Sequence, residues 1–413
     1  MSVIGIDFGT SFCTAAWVNP RTGNPEPIMF PNAVDVYKIP SVVMFPQGSN
    51  PVVGTRAYVQ ITDATATADG INAVQSRTIT SVKRKMSRNG SFLNHPHMEI
   101  ISLILRHVVE QAMESVVFPE TPDRLVLTHP VKFDEWKKQV LRQAAVGAGF
   151  VDDKIQLLEE PIAAALEYIK SNPQANTRGI LVYDFGGGTF DVAYVQIDHH
   201  GKPQLPIETQ CDPNCGGDDI DLLIYDNWER LARQQFGRQL SINPQEADLP
   251  FLIQCRRDKE MLSSVANHQF RHLLPVIEGR GLDRCEWRAT EVEYNQIIAP
   301  IVERTIAPTQ RVLEEIHRRE LPLDVVLLIG GSSRIPLVKL RLEELLQGKA
   351  QIRTTGKVDT AVSVGAVYYA TDGFSSGTTR TSETDGYCIL CGNTMAASDD
   401  FCLICGQKKY LAL

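Results

Sequence analysis

Two runs of apolar, β-prone residues, each ending on an aspartate and turning back on glycine, set the pattern of the chain. In one, Val3-Ile4-Gly5-Ile6 leads into Asp7-Phe8-Gly9-Thr10-Ser11-Phe12. In the other, Ile180-Leu181-Val182-Tyr183 leads into Asp184-Phe185-Gly186-Gly187-Gly188-Thr189-Phe190-Asp191. An unbroken apolar run of this length predicts a strand buried on both faces. Glycine, hydroxyl residues and a second β-prone run then predict a tight turn and a returning strand. Consecutive glycines let backbone N–H groups turn inward towards an anion, an approach that a Cβ obstructs. Taken alone, the glycine triplet also reads as an ordinary Gly-rich hairpin. Its repetition roughly 180 residues apart reads as one unit duplicated, each copy offering an aspartate beside a phosphate-embracing turn.

Between and after these hairpins the pattern alternates between strands and helices, which predicts an α/β fold. A β-like patch covers 39–45, and Val82-Lys83-Arg84-Lys85 sits in a mixed segment. Apolar positions at Ile100, Leu103, Ile104 and Val108 recur at helical spacing and predict an amphipathic helix over 99–116. A strand over 125–128 is closed by Pro130. Asp134 then caps a helix whose apolar face is Trp136, Val140, Leu141, Ala144 and Ala145. Glu159-Glu160-Pro161 opens an Ala-rich helix over 162–169, where Glu160 either favours the helix dipole or points into a cleft. The polar connector 171–178 marks a boundary between two lobes. Gly216-Gly217-Asp218-Asp219 is a turn feeding a long helix. A further helix over 249–265 puts Lys259 and Ser263 one turn apart. Strands of a small subdomain fall within 269–288, and a long helix over 291–319 is expected to break near Pro300 or Pro308. The buried strand 325–329 runs into Gly330-Gly331-Ser332-Ser333-Arg334-Ile335-Pro336, the way an α/β sheet offers glycines and a helix N-terminus to a nucleotide. A last helix covers 360–370. From spacing alone, Lys83 and Lys259 both read as solvated surface lysines.

Composition narrows the choices. A chain of 413 residues with 43% hydrophobic content buries cores in two or more domains. A net charge of −8 and the absence of a basic stripe argue against a nucleic-acid binder. No apolar run reaches membrane-spanning length, and the chain begins directly in a strand, so neither membrane insertion nor a signal peptide is expected. Nine cysteines, four of them in a metal-type pattern, suit a reducing compartment, so a cytoplasmic protein is expected.

The tail changes the picture again. Residues 371–385 are rich in Ser, Thr and Gly and read as a flexible linker. Cys388-x-x-Cys391 and Cys402-x-x-Cys405 follow, each pair succeeded by glycine (Gly392 and Gly406). That spacing predicts a closed tetrahedral zinc site, a zinc ribbon over 386–413 that metal binding stabilises by roughly 10–16 kcal/mol. Cys13, Cys211, Cys215, Cys255 and Cys285 have no ligand spacing and read as core or surface thiols.

The two hairpins, Glu159-Glu160-Pro161, Gly216 to Asp219 and Gly330 to Pro336, in that order, resemble the ATPase half of the heat shock protein 70 (DnaK-type) chaperone family. The resemblance runs from about residue 3 to about residue 370. It implies a duplicated actin-like/chaperone ATPase fold, two lobes around a nucleotide cleft, with the ribbon where the family carries its peptide-binding domain. Lobe I is then 1–173, with the helix 359–370 returning to it, and lobe II is 174–358. The resemblance implies ATP or ADP and magnesium as cofactors. Gly9, Thr10, Ser11 and Phe12 would cradle the phosphates with Gly186, Gly187, Gly188 and Thr189. Asp7 and Asp184 would hold magnesium through waters, supported by Asp191. Lys83 would reach the γ-phosphate and the attacking water, which Glu160 would help to order. Gly217 and Asp218 join the cleft, while Gly330, Gly331, Ser332 and Arg334 would line the adenosine with Lys259, Ser263 and Asp359.

The departures from the family pattern also carry expectations. Glu260 stands where the family has an arginine stacking on the adenine, and Arg256 stands at an acidic position, so weaker nucleotide affinity is expected. The segment between Lys83 and Glu99 is short, and Gln156 replaces an arginine used for the J-domain co-chaperone, which disfavours that partner. No peptide-binding domain or apolar interdomain linker is read after residue 370. The expected function is slow, magnesium-dependent ATP hydrolysis that switches lobe closure and engages a protein partner through the ribbon or a lobe surface. The alternatives are a non-hydrolysing, nucleotide-sensing adaptor acting through the ribbon and an actin-like filament subunit, with a sugar kinase disfavoured by the lack of a sugar-reading aspartate.

Overall fold

The protein is described here from a computed structural model over residues 2–31, 33, 35–63, 73–88, 90–116, 118, 122–237, 248–275, 282–355, 358–373, 386–387 and 394–395. The two apolar runs form the central strands of two six-stranded sheets built on one plan. In the first sheet the order is Pro25–Pro27, Phe12–Val18, Val3–Phe8, Arg124–His129, Ile155–Glu159, with Ile39–Pro40 added to Phe12–Val18. In the second it is Pro203–Gln204, Phe190–Ile197, Gly179–Phe185, Val325–Ile329, Gln351–Thr354, with Gln210–Asp212 added to Phe190–Ile197. Each central strand pairs antiparallel with its own returning strand: Ile6 lies opposite Ala15, and Val182 opposite Ala193. On its other side it pairs parallel with a later strand, Ile6 opposite Leu127 and Val182 opposite Leu327. Paired on both edges and covered on both faces, such strands have no polar side, which explains their unbroken apolar sequence.

Two helices carry the chain between the sheets and lie against each other. Helix Glu160–Ser171 follows the last strand of the first sheet and packs on the second, while helix Ala361–Thr371 follows the last strand of the second and packs on the first. Their closest approach has glycine on one side: a Cβ on Gly365 would lie 1.8 Å from the Ala163 carbonyl oxygen. A similar constraint fixes Ala361–Thr371 to the first sheet, where a Cβ on Gly5 would lie 2.5 Å from the Ser363 carbonyl oxygen. Only residues without a side chain let backbones meet so closely.

Two expectations need correction. Helix Glu291–Arg318 runs unbroken through both Pro300 and Pro308. Proline removes a donor and crowds the preceding turn. Here one whole face, including Tyr294, Ile298, Val302, Val312 and Ile316, is buried in the core of the second lobe, and that packing holds the helix together. The second correction concerns the tail. A zinc site needs several ligands converging on one point at bonding distance, and among the described residues no group of three or more His, Cys, Asp or Glu is placed to hold a metal ion. The ribbon module and the zinc cofactor are therefore withdrawn. The cysteine pairs Cys388/Cys391 and Cys402/Cys405 on which they rested lie outside the described residues, and of that region the structure describes the antiparallel pair Gly386–Tyr387 with Thr394–Met395. Of the other five cysteines, Cys13, Cys215, Cys255 and Cys285 are buried, Cys211 is half-buried, and all are free thiols.

Candidate functional site

Because both hairpins turn at the same end of their sheets, their glycine-rich turns face each other, and a cleft of about 590 Å³ opens between the lobes. Asp7, Lys83, Glu160 and Asp184 line it, with Gly9, Thr10, Ser11 and Phe12 from the first turn and Gly186, Gly187 and Thr189 from the second. Asp218, Lys259, Ser263, Gly330, Gly331, Ser332, Arg334 and Asp359 complete the set drawn together from the sequence. Gly188, Asp191 and Gly217 stand behind this lining and shape it. A Cβ on Gly188 would meet Thr10, and one on Gly217 would lie 2.6 Å from Ser332 Oγ and 2.8 Å from Lys259 Nζ. Asp191 is buried opposite Asp184 in the hairpin register. Gly330 takes φ +77, the left-handed region open to glycine, and a Cβ there would lie 2.5 Å from the Phe185 carbonyl oxygen.

Lys83 is not a solvated lysine. It belongs to the short helix Val82–Lys85, is only 6% exposed, and its Nζ pairs with Glu160 Oε1. Glu160 begins its own helix, so the carboxylate also lies at a positive dipole end. The charges of Asp7 and Asp184 also act on this ammonium, and the ammonium acts in turn on Asp191. Burial, then the Glu160 charge, pushes Asp7 up to about 7, against the opposing pull of Lys83 and a hydrogen bond from Thr128 Oγ1. Burial followed by Glu160 likewise raises Asp191 to about 7. Asp184 lies well above the usual carboxylate range through burial, Glu160 and Asp191. For Lys83, burial favours the neutral amine, but Glu160, Asp7 and Asp184 together outweigh it and hold the lysine above its ordinary value. The site thus holds more buried carboxyl groups than one lysine can keep ionised, and a bound cation would favour their charged forms.

The far end of the cleft is built by the second lobe. Lys259, 8% exposed, is also no surface residue: its Nζ donates to the Gly217 carbonyl at 2.8 Å and pairs with Asp221 at 2.6 Å. Ser332 Oγ donates to the Gly186 carbonyl at 2.8 Å, tying the strand-to-helix turn to the second hairpin. Arg334 pairs with Asp359 at 2.7 Å. Arg256 donates to Asp218 at 2.8 Å and Asp221 at 3.1 Å and lies 5.8 Å over the Phe12 ring of the other lobe. Glu260 lies on the same wall. The sequence did not single out Asp35, Lys38, Tyr58 or Arg257, which also line the cleft. Lys38 bridges Asp35 at 3.2 Å and Asp359 at 3.1 Å, a link across distant segments that no local motif announces. Gln156 sits outside the cleft on strand Ile155–Glu159 and accepts from Arg124 at 3.2 Å.

The amino-acid sequence that builds this cleft has relatives. The profile of a family described as Hsp70 protein matches residues 3–384. The chain is 29% identical over 374 residues to the chaperone protein DnaK of Thermosipho melanesiensis, covering 89% of this chain and 59% of that protein. It is 30% identical over 374 residues to the chaperone protein DnaK of Thermosipho africanus, covering 89% of this chain and 58% of that protein. The chain therefore spans a little under three-fifths of the length of these curated relatives.

Proposed function

This chain belongs to the Hsp70 family, and we propose that it binds ATP between its two lobes and hydrolyses it slowly, using lobe closure to engage a protein partner at a lobe surface. The observation that supports this reading best is the meeting of two glycine–hydroxyl turns beside one buried lysine among four carboxylates. The lobes are assigned as 1–173 with 359–370, and 174–358.

The donor set fits magnesium rather than a metal held by protein ligands alone. Among the described residues no three carboxylates are placed as direct ligands, and magnesium typically takes one or two carboxylates, several waters and phosphate oxygens. Asp7 and Asp184 would hold it, with Asp191 behind them; bound there, the ion would offset phosphate charge. Backbone N–H groups and the hydroxyls of Thr10, Ser11 and Thr189 bind the phosphates. Lys83, held protonated by its carboxylate neighbours, places a positive charge beside the terminal phosphate. Glu160 orders the water that attacks it. Such groups suffice because phosphoryl transfer relies on positioning and charge neutralisation.

The test is single-turnover ATP hydrolysis by the native chain and by Lys83→Ala, with the fold of each checked by circular dichroism. A loss of about a hundredfold or more in the variant, with nucleotide still bound, supports the reading. Tight binding without turnover in the native chain removes hydrolysis and leaves a nucleotide-sensing adaptor.

A further inference from the structure

We infer that Asp218 is a phosphate-sensitive latch between the lobes, an inference that rests on the nucleotide reading above. Asp218 lies in the first turn of helix Gly217–Phe236, in the second lobe, and its backbone N–H donates to the Gly187 carbonyl at 2.6 Å. It is thereby fixed to the second turn. Its side chain reaches the first lobe: Ser11 Oγ donates to Oδ1 at 3.2 Å, and Ser81 Oγ donates to Oδ2 at 2.7 Å. Both turns of the cleft are thus joined through one residue. Ser81 sits at φ 54 and ψ 39, a left-handed conformation that costs a serine energy, immediately before the helix that carries Lys83. The bond to Asp218 helps hold it there.

A serine hydroxyl has a single proton to donate. Ser11 can give it to Asp218 or to a phosphate oxygen, but not to both. Arg256, the third donor to Asp218, is under no such restriction, because a guanidinium has five N–H groups and can keep Asp218 while turning others to a phosphate. Ser11 is therefore the group that must choose. A phosphate entering the first turn accepts the Ser11 hydrogen bond, removes one of the two side-chain bonds between Asp218 and the first lobe, and brings a second negative charge towards that carboxylate. The bond across the lobes and the bond to phosphate are mutually exclusive, so phosphate binding releases this direct link between the turns. A nucleoside without phosphate leaves the latch closed.

The experiment is a binding cycle on the full chain. Native protein, Ser11→Ala, Asp218→Ala and the double variant are titrated calorimetrically with ATP, ADP and adenosine, with circular dichroism confirming each fold. Asp218→Leu, which keeps much of the side-chain volume and offers no acceptor, replaces Asp218→Ala if the latter does not fold. The expected result is that losing Ser11 weakens ATP and ADP at least about threefold more in the Asp218 variant than in the native background, because only there is its proton free from the start. For adenosine the cycle should be additive. Additive cycles for all three ligands, or the same coupling for adenosine as for ATP, overturn the latch while leaving nucleotide binding intact. A native chain that binds none of the three overturns the nucleotide reading and the latch with it.

Discussion

Gly188 and Thr10 approach so closely that a Cβ on the glycine would stand 2.5 Å from the threonine Cγ2 and 2.8 Å from its Oγ1. The two halves of a duplicated unit therefore meet with no side chain on one partner, and the spacing of the turns is set by that absence.

Gly188→Ala should force the turns apart. Overpacking of this kind commonly costs about 1–3 kcal/mol, and ATP affinity should fall about tenfold or more because both turns must grip one phosphate chain. Calorimetric titration beside urea unfolding separates the two effects. Unchanged affinity would mean that the turns do not act together.

The Lys83–Glu160 pair is buried, each side chain 7% exposed. Removing the lysine alone strands a buried carboxylate, a change that costs about 3–5 kcal/mol in comparable pairs. Lys83→Ala should therefore lower the urea midpoint clearly, and Lys83→Ala with Glu160→Gln should regain part of the loss. A double variant no more stable than the single one would show that the carboxylate tolerates isolation.

Asp191, raised to about 7 by burial and then by Glu160, gives the cleft a pH signature. The unfolded chain releases this proton near pH 4, whereas the folded chain keeps it until about 7. Between those limits the folded state binds more protons, so stability is present at low pH and is lost as pH rises through the folded value. Without divalent cations, urea midpoints should fall across that window, and Asp191→Asn should flatten the slope. A slope unchanged by the substitution would assign the effect to other groups.

Arg84 joins the lobes through two parallel hydrogen bonds to Asp219, at 2.9 and 2.8 Å. Arg84→Ala should release the mouth of the cleft: the radius of gyration from solution scattering should rise, and nucleotide should leave several-fold faster. Identical scattering and off-rates would show that the remaining contacts, among them Tyr58 and Ile61 with Ile253, hold the lobes without Arg84.

The hairpins, the Glu160 helix and the Gly330 turn were legible because their signals are local: an unbroken apolar run, a glycine at a turn, a proline in a first turn. The lysines were not. Whether Lys83 is solvated depends on Glu160, 77 positions away, and Lys259 is buried by Asp221 and a glycine carbonyl from another helix start. Pro300 and Pro308 misled for the same reason, since local chemistry disfavours a helix that tertiary packing then preserves. The tail shows the opposite failure. There a spacing between cysteines was read as a site, although spacing supplies ligands without showing that they converge.

The near-contact of Gly365 with Ala163 gives the molecule a fulcrum. Each crossing helix starts from one sheet and rests on the other, so a change in the angle between the sheets turns one helix against the other about that point. Only small side chains flank that point, Ala163 and Ala164 on one helix and Ala366 on the other. Asp372, just past the last turn of helix Ala361–Thr371, pairs at 2.7 Å with Lys170 in the last turn of helix Glu160–Ser171, so any such rotation would be felt at this ion pair.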